Sequence, residues 1–191
     1  MARIPPISLE DMTPEQRQNY ETSPGGKGSL ALVLAHSQAM GPGFNLAVKG
    51  MMKGITVPPL ERQICVLATL HLERGAYEWA QHMEVSRAMG IPPEKVEAIA
   101  DDRFGDKVFN SREKALLAFT RQAVKTVRVD DFAFDAVASF YTPRQIVELI
   151  QVISLYMMFV RVSEIGEVEI DAIIGGDFWK NANKAAGIIK D

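Results

Sequence analysis

The sequence predicts an all-α, single-domain bundle of about seven to nine helices built around an antiparallel helical hairpin. Apolar residues recur at helical spacing along most of the 191 residues, short Gly- or Pro-containing breaks separate these stretches, and no convincing strand pattern interrupts them. The 47% hydrophobic content suffices for one core. We expect a helical domain at 30–165, an N-terminal arm at 1–29, and a C-terminal tail at 166–191 that docks on the body or on a neighbouring subunit.

Short helical stretches precede the hairpin. In the arm, Thr13 can cap a short helix that has Pro14 in its first turn. Residues 30–37 form a helix or a short buried segment, and a helical pattern resumes at 44–53 after a Gly-Pro-Gly break. His36, just before this break, has the pattern of a structural histidine, with a place in the functional cavity as the alternative.

The hairpin occupies residues 58–90. Pro58 and Pro59 suit a helix start, and Gly75 tolerates the backbone angles that end or bend a helix. A second helical period then continues to Gly90, where glycine and two prolines stop it. The first helix should be mostly buried because of its stripe of apolar residues, Ile64, Leu67, Ala68 and Leu72.

Four helices are predicted after the hairpin. The first is short, at 93–100, and Ser111 can cap the second. Asp130 begins the third, and the longest runs from Pro143 to about Glu164. We expect the third helix to pack its apolar side chains inward, namely Phe132, Phe134, Val137 and Phe140.

The longest helix is apolar on nearly all sides, which is typical of the centre of a bundle or a contact between subunits. Glu148 and Gln151 make it too polar for a membrane span. Tyr156 and Arg161 interrupt the apolar run near its end. The guanidinium needs an acceptor, so Arg161 either pairs with Glu164 or a C-terminal acid, or serves as a carboxylate clamp near a site on the hairpin.

One pair of side chains on the second hairpin helix can carry chemistry. Glu78 and His82 are four residues apart, so they lie on one helix face about one turn from each other. A carboxylate in that position can fix the tautomer of an imidazole and raise its basicity. The alternative is a surface or interface pair without catalytic chemistry.

Three hairpin segments, LERQI at 60–64, YEWAQH at 77–82 and AMGIP at 88–92, resemble the carboxymuconolactone decarboxylase family, which includes the alkylhydroperoxidase D proteins. The resemblance extends from about His36 to Arg161. It implies the alkylhydroperoxidase D-like helical fold, assembly as a homo-trimer or hexamer, and loss of carbon dioxide from a carboxylated unsaturated lactone.

The chain departs from the peroxidase branch of that family at three positions. The branch carries Cys-x-x-Cys-x-x-x-His, and counting back from His82 places the two cysteine positions on Gly75 and Glu78. The proton-relay glutamate of the branch falls on Gln63, whose amide does not titrate. A dithiol peroxidase mechanism is therefore excluded, and the single thiol, Cys65, is predicted to lie in the core.

Composition limits the partners and the compartment. A net charge of -3 without a basic run gives no general attraction to nucleic acid. One cysteine makes no internal disulfide, the N-terminal MARIPPISLED has no signal-peptide apolar core, and no apolar run approaches the roughly 20 residues that a bilayer requires. We expect a cytoplasmic protein with neither a nucleic-acid nor a membrane partner.

The leading functional hypothesis is a cofactor-free lyase acting on a small organic acid or lactone, with His82 as the acid/base and Glu78 as the residue that orients it. Candidate substrate-binding residues are Arg161, Tyr156, Tyr77, Trp79, Gln63 and His36. The main alternative is a non-catalytic oligomeric scaffold or binding protein. A weaker one is a metal site that adds His36 or His71 to Glu78 and His82, although two ligands at one helix spacing are too few to assign a metal, so we expect none.

Overall fold

The computed structural model describes residues 2–23 and 27–171, and these residues form nine helices and no strand. The predicted all-α fold is thereby confirmed. The helices are α1 Pro14–Glu21, α2 Ser29–Leu34, α3 Gly41–Lys53, α4 Pro59–Glu73, α5 Ala76–Ala88, α6 Pro93–Ala100, α7 Ser111–Thr126, α8 Asp131–Ala138 and α9 Pro143–Gly166.

Helix α4 lies at the centre of the bundle and contacts α5, α6, α7 and α9. This position follows from its sequence, since nearly all of its residues from Gln63 to Leu72 are buried. The core between α4, α7 and α9 includes Cys65, Leu67, Phe119 and Leu149. Cys65 is fully buried, as predicted for a core thiol, and this burial raises its pKa to about 12.

The turn of the hairpin differs from the expected glycine turn. Arg74 takes the left-handed conformation that ends α4, with φ of 61°, whereas Gly75 has an ordinary negative φ and begins α5. Gly75 is required for another reason. A Cβ on it would lie 2.5 Å from Cγ2 of Val160, so the glycine allows α9 to pack closely against the start of α5.

The expected inward packing of α8 is wrong for its phenylalanines. Phe132 is 86% exposed, and Phe134 and Phe140 are also exposed. The face of α8 that meets the core carries Ala133 and Val137, spaced four residues apart, so Phe132 and Phe134, on either side of Ala133, point elsewhere, and Phe140 lies beyond the end of the helix. Only the expectation for Val137 holds.

Helix α9 is long and apolar enough to cross a membrane by length and composition, a property that it shares with the core helices of soluble proteins. In the structure it packs against α4, α5 and α7. Its carboxylate at Glu148 accepts hydrogen bonds from the backbone and side chain of Thr56, at 2.7 and 2.8 Å, and from Arg144 at 2.9 Å. These contacts are those of a helix inside a helical bundle.

Helices α1 to α3 cover one side of the hairpin. The arm therefore forms part of the body: the side chain of Gln16 in α1 donates to the carbonyl of Ala35 at 2.9 Å, and Asn45 in α3 donates to Asn19 in α1. Helix α1 begins as predicted, at a capping box of Thr13 and Gln16. The comparable box of α7 uses Asn110 as its cap, one residue before the predicted Ser111.

The first residues of the predicted C-terminal tail lie against this layer. Val168 is buried with Val33 and Tyr77, and the carboxylate of Asp171 accepts hydrogen bonds from Ser29 and from the Tyr77 hydroxyl, the latter at 2.6 Å. Residues 172–191 of the tail lie outside the described residues, so its docking beyond Asp171 stays a prediction.

Candidate functional site

A cavity of about 170 Å³ lies between the hairpin, α9 and the covering helices α1 to α3. Its walls are mainly aliphatic, aromatic and methionine side chains, including Leu30, Leu34, Phe44, Val48, Met51, Met52, Val66, Val85 and Phe159. Six polar side chains that line it matter for the chemistry, namely Arg62, Gln63, Glu78, Gln81, His82 and Tyr156. Mostly apolar walls with a few polar groups are typical of a small-molecule site.

The imidazole of His82 is held by α4 rather than by its own helix. Its Nδ1 lies 3.0 Å from Nε2 and 3.2 Å from Oε1 of Gln63. The Ser86 hydroxyl donates to the carbonyl of His82 at 2.7 Å, so its oxygen accepts from Gln63 Nε2 at 2.9 Å. The second proton of that amide nitrogen faces His82 Nδ1 at 3.0 Å and the His82 carbonyl at 3.3 Å. The shorter contact of Nδ1, to Nε2 rather than to Oε1 of Gln63, favours Nδ1 as the acceptor and hence the proton of neutral His82 on Nε2.

The charge of His82 is set by its surroundings. Burial, with the nearby positive charge of Arg62 as a smaller cause, lowers the pKa of His82 to about 3. The ring is therefore neutral at pH 7. The imidazole ring also contacts the ring of Tyr156 in a T-shaped arrangement, with ring centroids 5.0 Å apart. A neutral imidazole with a proton on Nε2 is a hydrogen-bond donor to a ligand, since Nε2 has no partner among the described residues.

Glu78 does not hold His82 as the helix spacing suggested. Its Oε2 accepts a hydrogen bond from the Ser163 hydroxyl at 2.9 Å, and within the described part of the chain the buried Oε1 has no partner. Burial raises the pKa of the Glu78 carboxyl, partly offset by the Ser163 hydrogen bond. The expected role of Glu78 as the residue that orients His82 is corrected: Gln63 has that position because it reaches across from α4.

Arg62 places a positive charge at the cavity. Its half-buried side chain donates to the backbone carbonyl of Met51 at 2.6 Å, and it forms no ion pair with a carboxylate of the described residues. Burial lowers the pKa of Arg62, although a guanidinium remains charged at neutral pH. The cavity therefore contains an uncompensated cation next to a neutral imidazole.

Solved structures of similar architecture cover almost the whole chain. An uncharacterized peroxidase-related protein from Ralstonia eutropha JMP134, described as an alkylhydroperoxidase AhpD core, is 19% identical with a TM-score of 0.75 and covers 92% of this chain and 96% of its own. A peroxidase-related protein from Silicibacter sp. TM1040 is 15% identical with a TM-score of 0.74 and covers 88% and 93%.

The debrominase Bmp8, in a variant complexed with 2,3,4-tribromopyrrole, is 16% identical with a TM-score of 0.74 and covers 97% of each chain. This chain has the alkylhydroperoxidase D-like fold. At these identities the likeness shows the fold alone. No protein-family model matches the chain, and no curated protein matches it.

In the peroxidase branch that the sequence resembles, the two cysteines would fall on Gly75 and Glu78. A Cβ at Gly75 would lie 2.5 Å from Cγ2 of Val160, so a side chain there requires Val160 to shift. Glu78 occupies the second position and lines the cavity.

Arg161 lies away from the cavity. Its exposed guanidinium pairs with Glu73 at the end of α4 and donates to the carbonyl of Met157 at 2.8 Å. The expected place of Arg161 near His82 is therefore wrong, and the arginine that lines the cavity is Arg62. The alternative expectation, an ion pair with Glu164 or a C-terminal acid, is wrong in its partner. Arg161 pairs with Glu73, and Glu164 instead accepts a hydrogen bond from the backbone N–H of Ala76 at 2.7 Å.

The other predicted binding residues divide between two regions. Tyr156, Tyr77 and Gln63 line the cavity, whereas Trp79 and His36 do not. Trp79 packs beside His71, with ring centroids 6.3 Å apart, in a separate surface depression. Nε2 of His36 lies 2.9 Å from the carbonyl of Pro5, so His36 has the structural place that its sequence pattern favoured.

Sequence reasoning did not select Arg62 or Gln81 as site residues. Both had a signal: Arg62 lies beside Gln63 immediately before the apolar run of α4, and Gln81 shares a helix face with Glu78 at a spacing of three. No group of three or more His, Cys, Asp or Glu side chains in the described ranges is arranged to hold a metal. His71 lies 3.3 Å from Asp102, far from the metal set that included His82.

Proposed function

We propose that this chain is a cofactor-free enzyme of the carboxymuconolactone decarboxylase type, which removes carbon dioxide from a small organic acid or lactone bound in the cavity. The observation that carries this proposal is the Arg62 guanidinium, which lines an apolar cavity without a carboxylate partner. An uncompensated charge in such a place is costly unless a ligand of opposite charge accompanies it. A carboxylate fits the planar, multi-donor guanidinium.

His82 supports this chemistry as a neutral hydrogen-bond donor. When a carboxylate leaves as carbon dioxide, its carbon–carbon bond breaks and the electron pair passes to the conjugated carbonyl, which becomes an enolate. The Nε2 proton that the Gln63 and Ser86 network assigns to His82 can stabilise that oxygen. A neutral imidazole that polarises a carbonyl is an established enzymatic device.

Glu78 is the group best placed to supply the proton. The enolate must take up one proton at carbon to give the decarboxylated product. The pKa of Glu78 is raised, so its acid form is favoured more than that of an exposed glutamate, and its unpartnered Oε1 belongs to a residue that lines the cavity. We therefore assign Glu78 as the proton donor, His82 as the hydrogen-bond donor to the enolate oxygen, and Arg62 as the carboxylate clamp.

Three proteins of similar fold bear on the alternatives. The peroxidase-related neighbours share the fold, but this chain has one cysteine, so the proposal contains no dithiol step. The debrominase structure contains a single-ring compound, which supports a small ring as the substrate. The remaining alternative is a non-catalytic binding protein that uses the same cavity.

Carboxymuconolactone is the first compound to test, with binding followed by calorimetry and turnover by release of carbon dioxide. We expect Arg62→Met to lose at least tenfold in affinity, because a charge-assisted hydrogen bond contributes about 1.5–3 kcal/mol. Arg161→Met removes a matched arginine outside the cavity and should bind normally. His82→Leu and Glu78→Gln should bind the compound but turn it over slowly.

Each part of the proposal can fail separately. Binding by the wild type without release of carbon dioxide favours the non-catalytic binding protein. Equal affinity in Arg62→Met and wild type contradicts the carboxylate clamp. A turnover rate that is unchanged in Glu78→Gln contradicts the assigned proton donor.

Self-association is a further part of this proposal. Helices α8 and α9 expose large apolar side chains, among them Phe132, Phe134, Val147 and Ile150. Such surface is typical of contacts between protein chains, and we propose a homo-trimer or hexamer in the cytoplasm. Light scattering at micromolar concentration tests the assembly, and a monomer mass contradicts it.

A further inference from the structure

Two glutamines line the cavity, and they differ in how their amides are satisfied. The amide of Gln63 hydrogen-bonds His82 and Ser86. The side chain of Gln81 is only 7% exposed, yet neither its Nε2 nor its Oε1 has a partner among the described residues. Leaving a buried donor and acceptor unpaired costs free energy without any structural return. Gln81 therefore has the features of a group that awaits a ligand.

A second unpartnered atom lies on the same helix face. Glu78 and Gln81 are three residues apart on α5 and both line the cavity, so their side chains are neighbours. Oε1 of Glu78 is buried and without a partner within the described residues. A ligand hydroxyl matches this pair, because it donates one hydrogen bond and accepts another. A purely apolar ligand end would leave all three polar atoms unsatisfied.

The size and walls of the cavity limit what carries the hydroxyl. A dry protein cavity of about 150 Å³ holds one benzene molecule. This cavity, at about 170 Å³, is close to that size and is walled by aromatic and methionine side chains such as Phe44, Met51 and Phe159. Flat rings pack well on aromatic faces and polarizable thioethers. One six-membered ring with small substituents fits a cavity of this size.

We infer that this cavity also binds single-ring hydroxycarboxylic acids, with the carboxylate on Arg62 and the ring hydroxyl on Gln81 and Glu78. The carboxylate end rests on the proposed function, whereas the hydroxyl end rests on the unpartnered atoms of Gln81 and Glu78. The hydroxyl is the new element, and it makes Gln81 a specificity-determining residue.

The three hydroxybenzoate isomers and benzoate are the probes, with dissociation constants measured by calorimetry on the full chain. The best hydroxybenzoate should bind at least about tenfold more tightly than benzoate, because only the hydroxyl satisfies Gln81. Gln81→Leu should reduce this ratio to about one and leave benzoate affinity within about threefold. Gln151→Leu, an exposed glutamine of α9, is the matched control and should keep the full ratio.

Gln81→Met keeps the length of the side chain without its polar atoms, and it replaces Gln81→Leu if thermal unfolding shows that the leucine variant does not fold. A hydroxybenzoate that binds no more tightly than benzoate overturns this inference and leaves the carboxylate clamp standing. If Gln81→Met still binds the best hydroxybenzoate tenfold more tightly than benzoate, the inference is also overturned. Failure of all four acids to bind the folded wild type overturns both the inference and the proposed clamp.

Discussion

The polar side chains at two faces of helix α4 differ in whether the protein itself satisfies their hydrogen bonds. On the face that meets α7, the Thr69 hydroxyl donates to the carbonyl of Cys65 at 2.9 Å, and the Thr120 hydroxyl of α7 donates to its own helix backbone at 2.8 Å. On the face that meets the cavity, Arg62 has only backbone acceptors, and the facing residue Gln81 has no partner in the described structure.

The difference separates structural polar groups from functional ones. A hydroxyl that bonds its own helix backbone needs nothing further, so the core face is complete without a ligand. Around the cavity, among the described residues, Arg62 has no carboxylate partner, and the Gln81 amide and Glu78 Oε1 on α5 have no hydrogen-bond partner. Substitutions on the core face should therefore change stability, whereas those on the cavity face should change ligand binding or ionisation.

The largest expected effect is on the core face. Leu67→Ala removes a fully buried side chain and should lower the free energy of unfolding by about 2–5 kcal/mol, because it leaves a cavity between packed helices. Ligand affinity per folded molecule should not change. Urea unfolding followed by circular dichroism measures the stability.

Leu60→Ala is the matched control, since it removes the same side chain from an exposed position on the same helix. We expect a loss below about 1 kcal/mol there. Equal losses at Leu60 and Leu67 would contradict the packing described for α4.

The next prediction concerns the loss of folding stability at low pH that results from burying neutral His82 beside the cavity. The pKa of His82 is about 3 in the folded chain and 6.5 as a reference, so the unfolded chain binds the proton more readily between these values. The stability associated with neutral His82 is complete above pH 6.5 and is lost as the pH falls toward 3. At no more than 1.36 kcal/mol per pH unit, this loss is about 2 kcal/mol between pH 6.5 and pH 4.5.

Unfolding of wild type and His82→Leu across that pH range measures the loss. The variant has no imidazole at this position, so its stability should fall less steeply with decreasing pH, whatever its stability at pH 7. Parallel pH profiles for the two proteins would show that His82 is not the group protonated on unfolding.

Sequence patterns predicted the helices better than the site. Start signals such as Thr13-Pro14 and Thr142-Pro143 act within one turn, so α1 and α9 begin where the sequence indicates. The pair Glu78–His82 was also read from local spacing, but the actual partner of His82 comes from another helix, nineteen positions earlier. Helix spacing predicts which side chains lie on the same face of a helix, but it does not predict which residue of a neighbouring helix they contact.

The same limit explains Arg161 and α8. Because Arg161 interrupts an apolar run, its sequence suggests a place at the cavity. In the structure its side chain lies instead on the side of α9 that meets Glu73. The phenylalanines of α8 were considered core residues by composition, while the four-residue spacing of Ala133 and Val137 decides which face is buried. Gly75 and Val160 show a contact that no local pattern contains.

A smaller effect sharpens the role of Gln63 on the cavity face. Gln63→Glu places a carboxylate at the position of the amide that bonds His82 Nδ1, and a neighbouring anion favours the imidazolium. The pKa of His82 should rise by at least about one unit, which corresponds to about 1.4 kcal/mol. NMR titration of the imidazole measures this change.

Gln63→Met is the control, because it removes the amide without adding charge and should leave the pKa low through burial. An unchanged His82 pKa in Gln63→Glu would mean that the carboxylate is itself protonated or turned away. It would contradict the prediction that the side chain at position 63 contacts His82 and influences its pKa.

The smallest expected effect returns to the core face, at Cys65. Its pKa of about 12 leaves roughly one molecule in ten thousand as thiolate at pH 8, and the side chain is fully buried. We expect no labelling of folded protein by a thiol reagent at that pH and full labelling in urea.

We also expect no thiol-dependent turnover of alkyl hydroperoxides, because a sulfenic acid at Cys65 has no second cysteine to resolve it. Cys65→Ser should leave any activity of the cavity unchanged, since Cys65 does not line it. Hydroperoxide turnover that disappears in Cys65→Ser would show that the core face takes part in chemistry, and it would end the division between the two faces of α4.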